Sequence, residues 1–349
     1  MKWLLIFVPI TAFLNWSGAS PLWVFCSALI AIPPLVELLG SATDHLSGQL
    51  GSSLGGLLSA TLANAPELII GLAGLKNGLA SVVKASLTGS ILVNLLVGLG
   101  CALVVGGLKF GTQKFEQKYL RFNAAMLMLC SFCFIIPAVF QSVVPDASRE
   151  LSTEIALILL LVYIINLVYT FFQQPLNASE RASLSKARGK TSISKALVQL
   201  GIAALGLAFT SDLLTESLQP MAHTLGLSDV FSGVVLLGGV GGCGEVLTAL
   251  RFAKAGKQEL VLAVTVGSTI QMVLLVAPLL VLLGLLVGQP MDLAFSGIEI
   301  IAIVISVIVT RELIQDGKVT WMEGVLLLAT YAIFAFAFYH VPESYMSSL

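Results

Sequence analysis

The feature that most constrains this chain is a series of eleven apolar segments separated by short polar stretches. A helix needs about 20 apolar residues to cross a bilayer hydrocarbon core of about 30 Å, and most of the segments approach or exceed that length. Only 11% of the residues are charged, against about 25% in typical soluble domains. The chain is therefore predicted to be an all-α polytopic membrane protein. Nucleic-acid binding is excluded as its main function, and intrinsic disorder is excluded as its main structural state. The segments lie at about 3–18, 22–42, 54–75, 78–107, 120–143, 153–173, 193–217, 228–252, 257–287, 293–311 and 320–340.

The lysine and arginine residues define an orientation for these helices. When the N-terminus is placed in the cytoplasm, 15 of the 18 fall in or beside cytoplasmic loops, as the positive-inside rule requires. The basic loop at 174–192 is explained in this way without a nucleic-acid or anionic partner. We therefore expect an integral membrane protein with a cytoplasmic N-terminus, and the lack of long terminal extensions favours a bacterial plasma membrane. Residues 1–20 are interpreted as a short first transmembrane helix, with a signal-like segment as the alternative.

Two parts of the chain carry similar motifs at a constant spacing. The segment that begins at Ala63 and the segment that begins at Gly241 superimpose when 178 is subtracted from the second. Each copy belongs to a block of five helices, and since five is odd, the second block crosses the membrane upside down relative to the first. The predicted organisation is an N-terminal helix (1–20), a first repeat (21–173), a cytoplasmic linker (174–192) and a second, inverted repeat (193–349). The coinciding residues are Glu67 with Glu245, Lys76 with Lys254, Ala85 with Ala263, Gly89 with Gly267 and Ser90 with Ser268.

Glu67 and Glu245 lie deep in otherwise apolar helices. An ionised carboxylate at the centre of a membrane helix costs at least about 2.5 kcal/mol, so each must be protonated, paired or bound to a cation. Lys84 is the one basic residue at a comparable depth, so a buried ion pair is not the obvious solution. The alternative is that both are permanently protonated packing residues. Their symmetric placement favours a cation site. We expect the lipid bilayer and inorganic cations as partners and no cofactor.

The side chains near the two carboxylates carry oxygen atoms. Hard cations such as Ca²⁺ take several oxygen ligands, and no Cys or His belongs to the predicted cluster, which argues against zinc or copper. The five cysteines are interpreted as small packing residues of apolar helices. Some of the hydroxyl groups are equally explained as hydrogen-bonding contacts between helices. The predicted cation ligands are Glu67, Glu245, Asn64, Asn94, Ser90, Ser268 and Gln271.

The backbone around the carboxylates is predicted to depart from a regular helix. Pro66 has no N–H, so the carbonyl of Leu62 loses its helical partner and can face an ion. A glycine run that includes Gly241 and Gly242 disfavours an undisturbed helix by up to about 1 kcal/mol per residue. Local unwinding at both places would expose carbonyl groups. Close helix packing through a GxxxG pattern is the competing explanation for the glycines.

Two carboxylates that face one site suggest a mechanism. Without metal, burial and mutual repulsion favour their protonated forms, whereas a divalent cation favours the ionised forms and displaces the protons. The site would then hold either one Ca²⁺ or about two protons, which is antiport by competition. Other acidic residues are predicted to line the approaches or a proton path, although solvated helix ends explain some of them as well. These residues are Asp44, Asp212, Glu37 and Glu299.

These motifs resemble the cation/Ca²⁺ exchanger superfamily, and most closely its Ca²⁺/H⁺ exchanger branch. The branch pattern GNATELI…ALKxGL…ASLxGSILSNLLLVLG is similar to Ala63 through Gly100, and GNAAEH…GSSTQIALFVAP is similar to the segment from Gly241. The resemblance covers roughly residues 21–340. The positions that match are Asn64, Glu67, Lys76, Gly89, Ser90 and Asn94 in the first pattern, and Gly241, Glu245, Gly267, Ser268 and Gln271 in the second.

The resemblance implies a secondary antiporter in which Glu67 and Glu245 bind the transported cation, with Ca²⁺ as substrate and no cofactor. Three positions depart from the branch: Gly242 replaces Asn, Val246 replaces His, and Pro66 replaces Thr and gives a Pro-Glu pair more like the Na⁺/Ca²⁺ exchangers. H⁺ is therefore the expected counter-ion and Na⁺ the alternative. An intramembrane carboxylate enzyme is a remote alternative. The sequence leaves open whether the chain forms a homo-oligomer.

Overall fold

The computed structural model describes residues 2–115, 117–144, 148–173 and 192–342, so most of the predicted basic linker lies outside the described residues. Almost all of the described chain is helical, as the apolar segments require in a bilayer, where backbone polar groups must bond within the segment. The helices are α1 (Phe7–Trp16), α2 (Pro21–Leu62), α3 (Ala65–Lys76), α4 (Ala80–Phe110), α5 (Gln117–Val143), α6 (Ser148–Gln173), α7 (Ile193–Leu225), α8 (Asp229–Gly241), α9 (Cys243–Lys254), α10 (Gln258–Leu286), α11 (Gly297–Ile314) and α12 (Trp321–Tyr339).

The helix lengths and compositions confirm the all-α polytopic membrane class. Within the described ranges, eight helical stretches are long and apolar enough to cross a membrane, and the bent pair α8 and α9 gives a ninth. The predicted number of eleven is not confirmed. The difference lies in α1, which belongs to a shorter apolar helix, and in α11, whose 18 residues include the charged Glu299, Arg311 and Glu312.

Helix α2 contains two candidate membrane spans rather than one. The first is Pro21–Gln49, and the second begins at Leu58 and continues through α3 to Lys76. The carbonyl of Ser47 lies directly against Gly55, although eight residues of a straight helix would separate them by about 12 Å. The chain therefore changes direction between Ser47 and Gly55, while its backbone keeps helical conformation.

The most buried helices are α4 and α10, and α6 and α12 expose most of their apolar side chains. Helix α2 packs along α7, and α4 packs against both α8 and α12. Glycines permit the closest of these approaches: a Cβ on Gly100 would lie 3.0 Å from the carbonyl oxygen of Gly324. The two helices that carry the second part of each repeat motif thus form the interior of the bundle.

The two halves share their local geometry at the spacing read from the sequence. Helices α3 and α9 both have 12 residues and begin 178 positions apart. Each ends in a turn with a glycine at positive φ, Gly78 at 74° and Gly256 at 71°, a conformation that favours glycine because it lacks a Cβ. The next helices, α4 and α10, begin at Ala80 and Gln258, again 178 apart.

A short antiparallel sheet joins two loops that come from different repeats. Strand β1 (Gln113–Lys114), after α4, pairs with β2 (Lys318–Val319), before α12. The side chain of Gln113 also donates a hydrogen bond to the carbonyl of Leu103 at 3.0 Å. These loops lie on one side of the molecule, as expected for two loops that the charge distribution assigns to the same compartment.

Candidate cation site between the two repeats

The site is built around two breaks in membrane helices. Asn64 (φ −97°, ψ 14°) separates α2 from α3, and Gly242 (φ −79°, ψ 0°) separates α8 from α9. These breaks are 178 residues apart, and α8 and α9 meet at an angle of 48°. Leu62 is the last residue of α2. Pro66 lies in the first turn of α3, where its missing N–H removes no intrahelical bond.

The breaks place both central carboxylates in the first turn of a helix. Glu67 is in the first turn of α3 and Glu245 in the first turn of α9. A helix N-terminus carries a partial positive charge and unpaired N–H groups, which favour negative charge nearby. The folded chain therefore provides some stabilisation for an ionised carboxylate at a depth where the bilayer disfavours it.

Neither carboxylate has a protein partner that satisfies it. Glu67 is 5% exposed, and both of its carboxylate oxygens are buried without a hydrogen-bond partner. Oε2 of Glu245 is likewise buried without a hydrogen-bond partner. The two side chains are close enough to interact electrostatically. Among the described residues, no Lys or Arg forms an ion pair with either side chain. Buried polar atoms without partners are unfavourable, so this arrangement is suited to bound protons or a bound cation.

Two asparagines from the first repeat add amide groups. Asn64 is 2% exposed, and its Nδ2 donates a hydrogen bond to Oε1 of Gln271 on α10 at 2.6 Å, while its Oδ1 has no partner. Asn94 is fully buried in α4, and neither its oxygen nor its nitrogen has a partner. A Cβ placed on Gly242 would lie 3.2 Å from Oδ1 of Asn94. Asn94 therefore reaches the second helix break, where the chain has no side chain of its own.

A serine and a glycine connect this amide to the carboxylates. A Cβ placed on Gly241 would lie 2.8 Å from Oγ of Ser90 and 3.7 Å from Cγ of Glu67. The structure therefore brings Glu67, Ser90 and Asn94 together around the break in the second repeat. Ser268 is buried on α10, one turn before Gln271.

The donor set consists mainly of oxygen atoms. No group of three or more His, Cys, Asp or Glu side chains that could hold a metal ion occurs in the part of the chain that the structure describes. Two carboxylates with neutral amide and hydroxyl oxygens suit a hard cation that also retains water. Cys243, the first residue of α9, lies within Coulombic range of both carboxylates. Cys243 is absent from the predicted cluster, although its position two residues before Glu245 was a signal.

The four acidic residues predicted to line the approaches occupy different environments. Asp44 is exposed on α2, and Asp212 is half-buried on α7. Glu37 is exposed on α2, where it accepts a hydrogen bond from Arg251 of α9 at 3.1 Å. Glu37 therefore has a basic partner on α9. A part in the approach to the site stays a prediction for all three.

Glu299 has a clear local role. It is 3% exposed at the start of α11, where its Oε2 accepts from the backbone N–H of Ser296 at 2.9 Å and from the Ser296 hydroxyl at 2.6 Å. This reciprocal capping of the helix N-terminus explains a buried acidic residue without proton transfer. A proton path through Glu299 stays a prediction.

Lys84 has a partner that the sequence spacing did not indicate. Its ammonium group binds the carboxylate of Asp292 at 2.9 Å and the carbonyl of Ala294 at 2.7 Å. Asp292 lies in the loop between α10 and α11, 208 residues away, so no local pattern could have connected the two. The pair fixes this loop against α4, and it leaves the central carboxylates without a basic partner.

Two repeats with matching helix breaks, each with a carboxylate in the first turn after the break, are typical of secondary transporters of cations. Comparison with protein families supports a narrower assignment. A family model described as sodium/calcium exchanger protein matches residues 20–172 and 195–340. The chain belongs to this family, and the resemblance read from its sequence motifs is confirmed.

Individual relatives are similar over nearly the whole chain. A Ca(2+)/H(+) antiporter of Aphanothece halophytica is 36% identical over 357 aligned positions, which cover 97% of this chain and 96% of that protein. The Ca(2+)/H(+) antiporter ChaA of Bacillus subtilis is 35% identical, with 95% of each chain covered. A solved structure of native YfkE matches with a TM-score of 0.82 at 32% identity, covering 97% of this chain and all of that one.

Proposed function

We propose that this protein is an antiporter that exchanges Ca²⁺, or a similar divalent cation, for H⁺ across a membrane. The observation that carries the proposal is that Glu67, which is buried, and Glu245, which is half-buried, place carboxylate oxygens without partners just after two helix breaks that are 178 positions apart. The names of the two antiporter relatives support both the cation and the counter-ion. They give no support to the intramembrane enzyme, the remote alternative from the sequence.

The charge of the site explains how exchange would be coupled. With two ionised carboxylates and one Ca²⁺, the net charge is zero, and with two protonated carboxyls it is again zero. The empty site with two ionised carboxylates carries two negative charges in a low-dielectric interior, which is strongly unfavourable. Conformational change is therefore favoured only when the site holds Ca²⁺ or two protons, and this condition prevents uncoupled leakage.

The proposed ligands follow from the placement of the side chains. The carboxylates of Glu67 and Glu245 hold the cation, with neutral oxygens from Asn64, Asn94 and Ser90. Ser268 completes the set from α10, and the carbonyls of Leu62 and Gly241 beside the two breaks supply further dipoles, whereas Gly242 forms the second break and its carbonyl accepts the N–H of Val246. Ca²⁺ is the substrate, and the exchange needs no cofactor.

The surroundings of the protein are part of the same proposal. Its partners are the lipid bilayer and inorganic cations. We place it in a bacterial plasma membrane with its N-terminus in the cytoplasm, because this orientation puts most of the basic residues on the cytoplasmic side. Whether the chain assembles into a homo-oligomer is decided by measuring the mass of the purified protein in detergent.

The test uses purified protein in liposomes with an acidic lumen, and it measures ⁴⁵Ca²⁺ uptake. We expect uptake that collapses when the pH gradient is dissipated. Glu67→Gln and Glu245→Gln should each reduce it by at least about 100-fold, because each removes a buried charge that the cation requires. Glu312→Gln, which changes a half-exposed carboxylate on α11, is the matched control and should retain the full rate.

The outcomes separate the alternatives. Uptake driven by a Na⁺ gradient and not by a pH gradient would assign Na⁺ as the counter-ion. No uptake under either gradient would exclude the exchanger, and full uptake in both glutamine variants would exclude the proposed site. Competition also requires that the apparent KM for Ca²⁺ rise as the pH on the Ca²⁺ side falls, so a KM that stays constant with pH would contradict the mechanism.

A further inference from the structure

A short hydrogen bond between the repeats at the candidate site joins two amide side chains. Nδ2 of Asn64 donates to Oε1 of Gln271 at 2.6 Å, although the residues are 207 positions apart. The oxygen of Gln271 is therefore directed at a donor of the protein. A cation ligand would instead present this oxygen to the ion, so the contact points to a different role for Gln271.

Asn64 does not perform the usual task of an asparagine in its position. It is the residue that precedes α3, where an Asn side chain normally accepts a hydrogen bond from the second or third helical N–H. The second residue of α3 is Pro66, which has no N–H, and the Asn64 side chain makes no capping bond. Its Oδ1 is instead buried without a partner, and Glu67 follows three residues later in the first turn of α3.

The planar geometry of the Asn64 amide links its hydrogen bond to Gln271 with its unpartnered oxygen. The nitrogen and oxygen diverge from the same carbon within one plane, so anchoring Nδ2 to Gln271 fixes where Oδ1 points. Without that anchor the amide can rotate and present its N–H groups to the site. An N–H donor repels a cation and binds a carboxylate, so the same residue would then compete with the cation.

The second repeat cannot compensate for a misoriented Asn64. The residue equivalent to Asn64 is Gly242, which has no side chain. The oxygen that comes nearest to that position belongs to Asn94 of α4. Only one of the two helix breaks therefore supplies its own amide.

We propose that Gln271 is a positioning residue that holds the Asn64 amide with its oxygen towards the transported cation. The inference rests on the proposed function, since it assigns a task within the same site. It also separates Gln271 from the direct ligands among which the sequence analysis placed it.

The test measures ⁴⁵Ca²⁺ binding to the purified protein at fixed pH, so that transport rates do not enter. Gln271→Met keeps the size of the side chain and removes the acceptor. We expect it to weaken Ca²⁺ binding by about 10- to 100-fold, the usual effect of removing a group that orients a metal ligand. Gln199→Met is the matched control, because Gln199 also hydrogen-bonds between helices, to Ser41 on α2, and should bind Ca²⁺ like the unchanged protein.

Changes at Asn64 distinguish positioning from direct ligation. In an Asn64→Ala background, Gln271→Met should weaken binding by less than about threefold, because the two residues act as one unit. In an Asn64→Asp background, Gln271→Met should likewise weaken binding by less than about threefold, because a carboxylate presents an oxygen in either orientation. A purely structural hydrogen bond predicts instead that Gln271→Met weakens binding as much in the Asn64→Asp background as in the unchanged protein.

Each result decides the inference. A full loss on Gln271→Met in the Asn64→Ala background would show that Gln271 binds the cation directly, and normal binding by Gln271→Met would show that it does not act at all. A full loss on Gln271→Met in the Asn64→Asp background would overturn the positioning role. If the unchanged protein neither binds Ca²⁺ nor exchanges it, the proposed function fails, whereas the three results above leave that function in place.

Discussion

A close backbone contact between the two repeats provides a test of how the site is held together. Gly238 of α8 lies against Gly89 of α4, and a Cβ on Gly238 would lie 2.5 Å from Cα of Gly89 and 2.8 Å from the backbone nitrogen of Ser90. These are backbone atoms of a buried helix, so no side chain can rotate away. Gly238→Ala must therefore move one helix relative to the other.

The size of the effect follows from the contact distance. Carbon atoms pack best at about 3.5–4.0 Å, so the helices must separate by about 1 Å. Overpacking of this kind costs about 1–3 kcal/mol, of which the better helix propensity of alanine offsets about 0.5–1 kcal/mol. The displacement also reaches the site, because Ser90 follows Gly89 directly and Gly241 lies one turn after Gly238. A shift of about 1 Å at a functional site reduces rates by about 100-fold.

The adjacent residue supplies the control. A Cβ on Gly239 would meet nothing within 4 Å, so Gly239→Ala should keep full activity and gain about 0.5–1 kcal/mol of stability from helix propensity. We expect pH-driven ⁴⁵Ca²⁺ uptake in liposomes to fall about 100-fold for Gly238→Ala alone, together with a lower midpoint of thermal unfolding. Equal uptake by the two variants would refute the reasoning that this contact sets the geometry of the site.

Three further predictions concern other contacts. Gly242→Asn, which introduces the residue found in the related motif, should abolish Ca²⁺ uptake, because its Cβ would lie 2.7 Å from a methyl group of Val93. Adding Val93→Ala to this variant should restore part of the uptake. Lys84→Met should lower the free energy of unfolding by about 1–3 kcal/mol by leaving Asp292 half-buried without its partner, and Asp292→Asn should reverse part of that loss when thermal unfolding is measured. Arg251→Gln should change the free energy of unfolding by less than about 1 kcal/mol, because both members of its ion pair are substantially exposed to the surroundings; a larger destabilisation would contradict that estimate.

Much of the candidate site was predictable because its main residues belong to short sequence motifs. Glu67 and Glu245 stand out as acidic residues in apolar helices, and the spacing of 178 relates them without any structure. Proline and glycine indicated interruptions, and the structure has helix breaks at Asn64 and Gly242. Backbone conformation near such residues is controlled within a few positions, so sequence can indicate it.

Contacts between distant residues could not be predicted in the same way. The hydrogen bond between Asn64 and Gln271 and the ion pair of Lys84 with Asp292 both connect residues more than 200 positions apart. Nothing in the local sequence distinguishes an amide that binds a cation from an amide that orients its neighbour. Glu299 is a related case, because the pattern showed a buried acid but not that it caps its own helix.

The sequence by itself therefore determined the membrane class, the family, the repeat and the two central carboxylates. These depend on hydrophobicity, on local backbone preferences and on motif spacing, all of which act over short stretches of chain. The tertiary structure decided which oxygens have no protein partner. In the folded chain, Gln271 accepts a hydrogen bond from Asn64, Asn94 lies beside the break at Gly242, and the carboxylate of Glu67 has no hydrogen-bond partner. Whether a buried polar atom is satisfied depends on every helix packed around it, and that is a property of the folded bundle rather than of any one segment.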